Sequence, residues 1–147
     1  MGIFGFGKKA AAVKNEMKKM EKRDLMQAVV ASAVLVAFAD GELEDSEVKA
    51  LHDVIEAQPP LSSFGDELSK TIDSYIGTMK ASKHLGKIKL MREIEDVKAS
   101  PSEVEEVFAV VVTIAEADGQ IEDAEVKVLT EIGRKLGVNL KDYGIAA

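Results

Sequence analysis

Residues 39–51 read ADGELEDSEVKAL, and residues 117–129 read ADGQIEDAEVKVL. Nine of the thirteen positions are identical, and four of the shared residues are carboxylates around a glycine. Glycine readily takes the positive φ of a turn that ends a helix, and acidic residues favour the first turn of the helix that follows. The repeat therefore predicts two units of one plan: an apolar helix, an Asp-Gly turn and an acidic-capped amphipathic helix.

The composition indicates one folded, mostly helical domain. The 147 residues are 46% hydrophobic and only 5% aromatic, and alanine, valine, leucine, glutamate and lysine dominate. A chain of this length buries about two-thirds of its unfolded surface, and this mixture of residues favours helices. The chain has no cysteine, which excludes disulfides, thiolate zinc sites and cysteine nucleophiles.

Apolar periodicity and capping residues predict helix through nearly the whole chain. We expect helices over about residues 8–21, 23–39, 44–57, 63–79, 82–98, 101–117 and 122–135, and a short turn around residues 141–143. Pro59 and Pro60 end the third helix and predict an extended connection. The helix over 82–98 is expected to bury an apolar stripe formed by Leu85, Ile88, Leu90, Met91, Ile94 and Val97.

The helices over 23–39 and 101–117 are apolar on most faces. Such helices belong in the middle of a bundle. The expected fold is therefore all-α: a single-domain multihelical bundle of two pseudo-symmetric halves around a central antiparallel helix pair. The most apolar run, residues 28–39, spans twelve residues, whereas a membrane span needs about twenty, so it is expected to be a buried core helix.

Charge divides the chain into a basic N-terminal arm, residues 1–22, and an acidic helical domain, residues 23–147. Residues 1–23 carry a net charge of +5, and the remaining residues carry a net charge of −12. An acidic domain repels phosphates, which argues against nucleic-acid binding. The arm could contact an anionic membrane surface or an acidic partner, but a frayed terminus with a solvated lysine face would look the same. The lysines concerned are Lys8, Lys9, Lys14, Lys18 and Lys19.

Both copies of the repeat match the second half of an EF-hand calcium loop, Asp-Gly-x-Ile-x-x-x-Glu. The two earlier ligand positions would be Val36 and Phe38 in the first copy, and Ile114 and Glu116 in the second. Since apolar side chains cannot coordinate calcium, an ordinary EF-hand is excluded for the first copy and disfavoured for the second. What remains in each copy is a cluster of carboxylates.

Three carboxylates of each copy are candidate ligands for a divalent cation. In the first copy, Glu44 and Glu47 are spaced to lie on one helical face, and the turn brings Asp40 back towards it. Hard oxygen donors suit calcium, magnesium or manganese, with water completing the shell. Helix capping alone accounts for the same residues, because acidic residues are common at helix starts. The candidate metal ligands are Asp40, Glu44, Glu47, Asp118, Glu122 and Glu125.

The order of these features resembles the TerB family of tellurite-resistance proteins. The resemblance rests on the paired Asp-Gly turns with their flanking helices, on the basic arm that leads into residues 25–39, and on the tail from Ile132-Gly133 to Tyr143-Gly144. It covers about residues 15–145. It implies an all-helical fold, acidic metal-chelating centres and a role in the bacterial response to chemical stress, including tellurite or phage resistance.

The same resemblance implies partners and a location. Family members are thought to work near the inner membrane face, alongside a TerC-type membrane protein and calcium-binding TerD-type proteins. Matched onto this sequence, the metal-site roles fall on the six carboxylates named above, with Asp45 and Asp123 as alternates. We therefore expect a cytoplasmic protein, or one peripheral to the inner membrane. Residues 1–7 are too short for the apolar core of a signal peptide.

No catalytic arrangement can be read from the sequence. His52 and His84 are isolated, and no serine forms a triad signature with them. The leading hypothesis is a non-enzymatic adaptor that binds calcium or magnesium and no organic cofactor. The rival hypothesis is a metal-free acidic scaffold that docks basic segments of protein partners. An enzyme would require a pocket that holds one of the two histidines beside carboxylates.

Overall fold

The computed structural model describes residues 22–117 and 119–145, and this part of the chain is helical, without strands. The all-α class is therefore confirmed. The predicted helix over 8–21 and the boundary of the basic arm lie outside the described residues. The six α-helices of the described part are α1 (Arg23–Ala37), α2 (Asp45–Glu56), α3 (Asp66–Ala81), α4 (Lys83–Glu95), α5 (Pro101–Ala115) and α6 (Asp123–Leu136).

Helix α1 is the centre of the bundle. Eleven of its fifteen residues are buried, and it packs against each of the other five helices, most extensively against α4. A helix that is apolar on most faces needs neighbours on all sides, which explains this position. Helix α5 is the second strongly apolar helix and packs on α1 and α6, so the predicted contact between the two apolar helices is present.

The two apolar helices run in the same direction. At their starts, Lys22 Nζ lies 2.7 Å from Glu103 Oε2. At their ends, Val36 of α1 and Ile114 of α5 line one cleft. A helix of this length spans about 22 Å, so an antiparallel pair could not make both contacts. The predicted antiparallel orientation is therefore wrong, while the pseudo-symmetry of the complete halves stays a prediction.

Two local predictions also differ from the structure. The segment Pro59–Phe64 forms a 3₁₀ helix rather than an extended connection, because the fixed φ of proline suits the first turn of a helix. In α4, Leu85 is 70% exposed and Ile88 is 51% exposed. Leu90, Met91 and Ile94 of the predicted stripe are buried, and Gly86 is buried with them. Gly86 allows α4 to approach α3 closely at Met79.

Candidate functional site

The glycines of the two Asp-Gly turns have nearly the same φ and make the same backbone hydrogen bond. Gly41 has a φ of 118° and Gly119 a φ of 119°, a region that L side chains rarely adopt. Each glycine N–H donates to the carbonyl three residues earlier: that of Phe38 at 2.9 Å and that of Glu116 at 3.0 Å. The glycine therefore has the same local geometry in both copies, and the positive φ explains why glycine occupies both positions.

The glutamates after each glycine form a capping box at the start of the next helix. Glu47 Oε1 accepts the backbone N–H of Glu44 at 2.8 Å, and Glu125 Oε1 accepts that of Glu122 at 2.9 Å. In return, the side chains of Glu44 and Glu122 accept the backbone N–H at the third helical position. One role of these four carboxylates is therefore to satisfy backbone donors that a helix start leaves unpaired.

The parallel helices bring both turns to the same end of the bundle. We call this the acidic end and define it as residues 40–44 and 119–122. Asp40, Glu44 and Glu122 are exposed there, and Glu47 and Glu125 line one cleft beside it. Two copies of the motif that are far apart in sequence thus contribute to one surface.

The carboxylates that the structure describes do not by themselves assemble a metal site. Within residues 22–117 and 119–145, no three or more His, Asp or Glu side chains lie close enough together to hold a metal ion. Asp118 belongs to the predicted ligand set and lies outside the described residues. The cation site therefore stays a prediction.

A lysine lies beside the first turn. A Cβ atom added at Gly41 would lie 3.7 Å from Lys83 Nζ, at the start of α4. An ammonium group at this range disfavours a bound cation by Coulomb repulsion and favours the carboxylates of the turn. No lysine was expected at this point from the sequence, because Lys83 is far from Gly41 along the chain.

An apolar cleft opens between α2 and α5, above the carboxyl end of α1. We call it the α2–α5 cleft; its volume is about 500 Å³, within the usual range for binding sites. Glu47, Asp53 and Glu125 are among its lining residues, so acidic groups accompany the apolar surface. The apolar lining includes Val36, Leu43, Leu51, Val54, Val111 and Ile114. Sequence reasoning missed the cleft because it depends on how α2 and α5 are spaced on α1.

His52 joins two helices through two carboxylates. Its Nδ1 lies 2.8 Å from Glu56 Oε2 on the same helix, and its Nε2 lies 2.7 Å from Asp73 Oδ1 on α3. Burial lowers the pKa of His52, but the hydrogen bonds and charges of Glu56 and Asp73 outweigh this effect and leave the pKa raised. The i, i+4 spacing to Glu56 was readable from the sequence, whereas the contact with Asp73 was not.

The predicted membrane-contacting lysines, Lys8, Lys9, Lys14, Lys18 and Lys19, all lie outside the described residues. In the part of the chain that the structure covers, no helix is both long enough and apolar enough to span a bilayer.

Comparison with known families gives one match. The family model described as "Tellurite resistance protein TerB" matches residues 26–147, which include both turns and all six described helices except the first residues of α1. Searches of curated proteins and of solved structures gave no significant match.

Proposed function

Because this chain belongs to the TerB family of tellurite-resistance proteins, we propose that it is a non-enzymatic stress-response module. In this proposal it binds divalent cations through its two Asp-Gly turns and acts as an adaptor near the inner membrane. The observation that supports the proposal best is the meeting of the two turns at the acidic end. Glu47 and Glu125, one from each copy of the motif, line the same cleft there.

The chemistry of the donors suits calcium or magnesium. Asp40, Glu44 and Glu47 would serve the first turn, and Asp118, Glu122 and Glu125 the second. In each capping box one oxygen of the third-position glutamate is engaged by a backbone N–H, so a cation would use the remaining oxygens together with water. Such a shell favours hard cations and predicts millimolar or somewhat tighter binding at these exposed positions.

Isothermal titration of the full chain with calcium, magnesium, manganese and zinc tests the cation part. The variant Asp40→Asn with Asp118→Asn should weaken binding, because it removes one charged ligand from each turn. A matched control is Asp96→Asn with Asp142→Asn, which removes two exposed aspartates outside the turns. Titrations that are identical for all three proteins would contradict cation binding at the turns.

A second candidate function is a metal-free acidic scaffold for basic protein segments. The two capping boxes favour it, because they give all four glutamates a role that needs no cation. Salt-sensitive binding of a lysine-rich peptide that persists in excess chelator would support this version. Peptide binding that requires calcium would support the cation-binding adaptor.

Contact with the membrane and with TerC-type and TerD-type partners is a further part of the proposal. The basic arm supplies the positive charge that an anionic lipid surface attracts, worth about 1 kcal/mol per lysine near the surface. Flotation of the full chain with anionic liposomes should therefore fall when Lys8, Lys9, Lys14, Lys18 and Lys19 are replaced by Gln.

The control for this flotation replaces five exposed lysines of the helical domain by Gln: Lys70, Lys80, Lys89, Lys98 and Lys127. Both variants lose the same charge. Equal flotation of the two variants would contradict the proposed contact between the basic arm and the membrane.

A further inference from the structure

The α2–α5 cleft combines two properties that suit a basic apolar segment. Its floor and walls are aliphatic, from Val36 and Ile114 among others, and Glu47, Asp53 and Glu125 add negative charge to its lining. An aliphatic surface gains free energy when it is removed from water, by about 25 cal/mol per Å². The acidic groups select for an occupant that carries positive charge.

The chain itself contains a segment of this chemistry. Residues 1–21 combine the large apolar residues Ile3, Phe4 and Phe6 with a lysine pair, Lys8 and Lys9. Residues 1–21 carry a net charge of +3 and the remaining chain carries −10, so the segment is attracted to it.

The segment is long enough to reach the cleft from its point of attachment. Two ion pairs fix that point at the start of α1: Lys22 pairs with Glu103, and Arg23 pairs with Glu67. The cleft lies at the other end of α1, about 22 Å away for a fifteen-residue helix. Twenty-one residues extend to about 70 Å, and even the predicted helix over 8–21 would span about 21 Å. Residues 3–6 can therefore lie at the level of the cleft.

The other exposed apolar surface of the described residues fits this segment less well. Leu85 and Ile88 form it, on the outer face of α4. Lys89 and Arg92 follow them at helical spacing and are also exposed. A basic segment would meet like charges there, so electrostatics favours the α2–α5 cleft.

We infer that the α2–α5 cleft binds the chain's own N-terminal arm, with Ile3, Phe4 and Phe6 against the aliphatic walls. Lys8 and Lys9 lie against the carboxylates that line the cleft. The arm thereby competes with any basic partner segment for the same surface. This inference goes beyond the proposed function. Docking of the arm requires no cation and no membrane, but it uses carboxylates and lysines that the proposed function also uses, so a bound cation or an anionic membrane would compete with it.

Paramagnetic labelling of the full chain tests the inference. The chain has no cysteine, so Gly7→Cys gives a single site for a nitroxide beside the apolar residues of the arm. The methyl NMR signals of Val54 and Val111 should broaden several-fold more than that of Val104, which lies near the opposite end of α5. The broadening should decrease at high salt, because the contact is partly electrostatic.

Replacing each of two native alanines by arginine locates the contact. Ala50 is exposed and lines the cleft, whereas Ala109 is exposed on α5 and does not line it. In the labelled chain, Ala50→Arg should abolish the broadening at Val54 and Val111, and Ala109→Arg should leave it unchanged. A thermal melt of each variant checks that the fold is retained.

Three outcomes would overturn the inference. The first is equal broadening of Val54, Val111 and Val104. The second is the same broadening of Val54 and Val111 in Ala50→Arg and in Ala109→Arg when both variants are folded. The third is broadening in a mixture of isotope-labelled chains and nitroxide-carrying chains without isotope label, which would show that the arm binds a second copy. The salt dependence is measured on the labelled chain without further substitutions, so instability of Ala50→Arg cannot mask the result.

Discussion

The side chains of Lys22 and Glu103 form an ion pair in which Nζ and Oε2 are 2.7 Å apart. The first residue precedes α1 and the second lies in the first turn of α5. The ion pair therefore shows that the two apolar helices start at the same end of the bundle. Because each helix is followed by an Asp-Gly turn, both turns emerge at the other end. An antiparallel pair would have separated them by about 22 Å.

The capping boxes separate the structural role of the glutamates from a role in cation binding. Replacing Glu47 and Glu125 by Ala removes the acceptor for the backbone N–H of Glu44 and of Glu122, and should cost about 1 kcal/mol at each helix. The single variants give the two costs separately, because each glutamate accepts a different backbone N–H. Urea denaturation of the single and double variants measures this.

The matched control is Glu47→Gln with Glu125→Gln. Glutamine keeps an oxygen acceptor at the third helical position but has no negative charge. We expect this variant to retain most of the stability that the alanine variant loses, and to bind calcium more weakly than the unsubstituted chain. If the glutamine and alanine variants are equally unstable, the capping interpretation is wrong.

Lys83 should lower the affinity of the first turn for a divalent cation. Its ammonium group lies beside Gly41, and repulsion of a divalent ion over several ångströms of water is worth about 1 kcal/mol. Lys83→Gln is therefore expected to tighten calcium binding about fivefold. Calorimetric titration measures the change, with Lys80→Gln as the control for loss of one exposed lysine. Equal affinities of the two variants would contradict the prediction.

The ion pairs of His52 should make stability depend on pH. The folded-state pKa of His52 is raised above its ordinary value of 6.5, so its contribution to the free energy of unfolding is fully present just below pH 6.5. The contribution is lost as the pH rises through the raised pKa, because neutral imidazole has one N–H donor for two carboxylates. The stability difference between the unsubstituted chain and His52→Gln should shrink over this interval.

Denaturant unfolding from about pH 6 to about pH 9 measures this difference around the ordinary histidine pKa. His84→Gln is the control, since His84 is exposed on α4 and forms no ion pair within the described residues. A difference for His52→Gln that stays constant across the range would refute the ion-pair account.

Replacing each of two helical glycines by alanine should change the stability of the protein in opposite directions. A Cβ at Gly86 would lie 2.9 Å from Met79 Sδ and 3.0 Å from the Thr78 carbonyl oxygen, so Gly86→Ala should force α3 and α4 apart. Overpacking of this kind costs about 1–3 kcal/mol. A Cβ at Gly77 meets nothing within 4 Å, and Gly77→Ala should stabilise α3 by about 0.5–1 kcal/mol. Thermal denaturation of both variants measures these changes in stability. If Gly86→Ala is more stable than the unsubstituted chain, the close approach of α3 and α4 at Gly86 is wrong.

Local features of the fold were predictable wherever neighbouring residues determine them. The helices of the described part lie within a few residues of their predicted bounds, since apolar periodicity and capping act over one or two turns. The family was also correctly identified from the order of the motifs. Pro59 and Pro60 were misread because proline both ends one helix and can start the next.

Leu85 and Ile88 of α4 were wrongly predicted to be buried. The periodicity of a sequence shows where the apolar side chains lie on a helix, but it does not show where two helix backbones come close together. Gly86 has no side chain to mark it as a core residue, yet it is buried against α3. The contact of His52 with Asp73 was likewise inaccessible, since it joins two helices through the tertiary structure.

The sequence by itself determined the helices, the two Asp-Gly turns and the acidic caps, because these depend on interactions between residues a few positions apart. Only the tertiary structure decided where the two copies lie relative to each other. Periodicity shows which face of α1 and of α5 is buried, but it is the same for parallel and antiparallel packing. Helix α5 packs on α1 and α6, and the direction that it takes there brings Glu47 and Glu125 to one cleft.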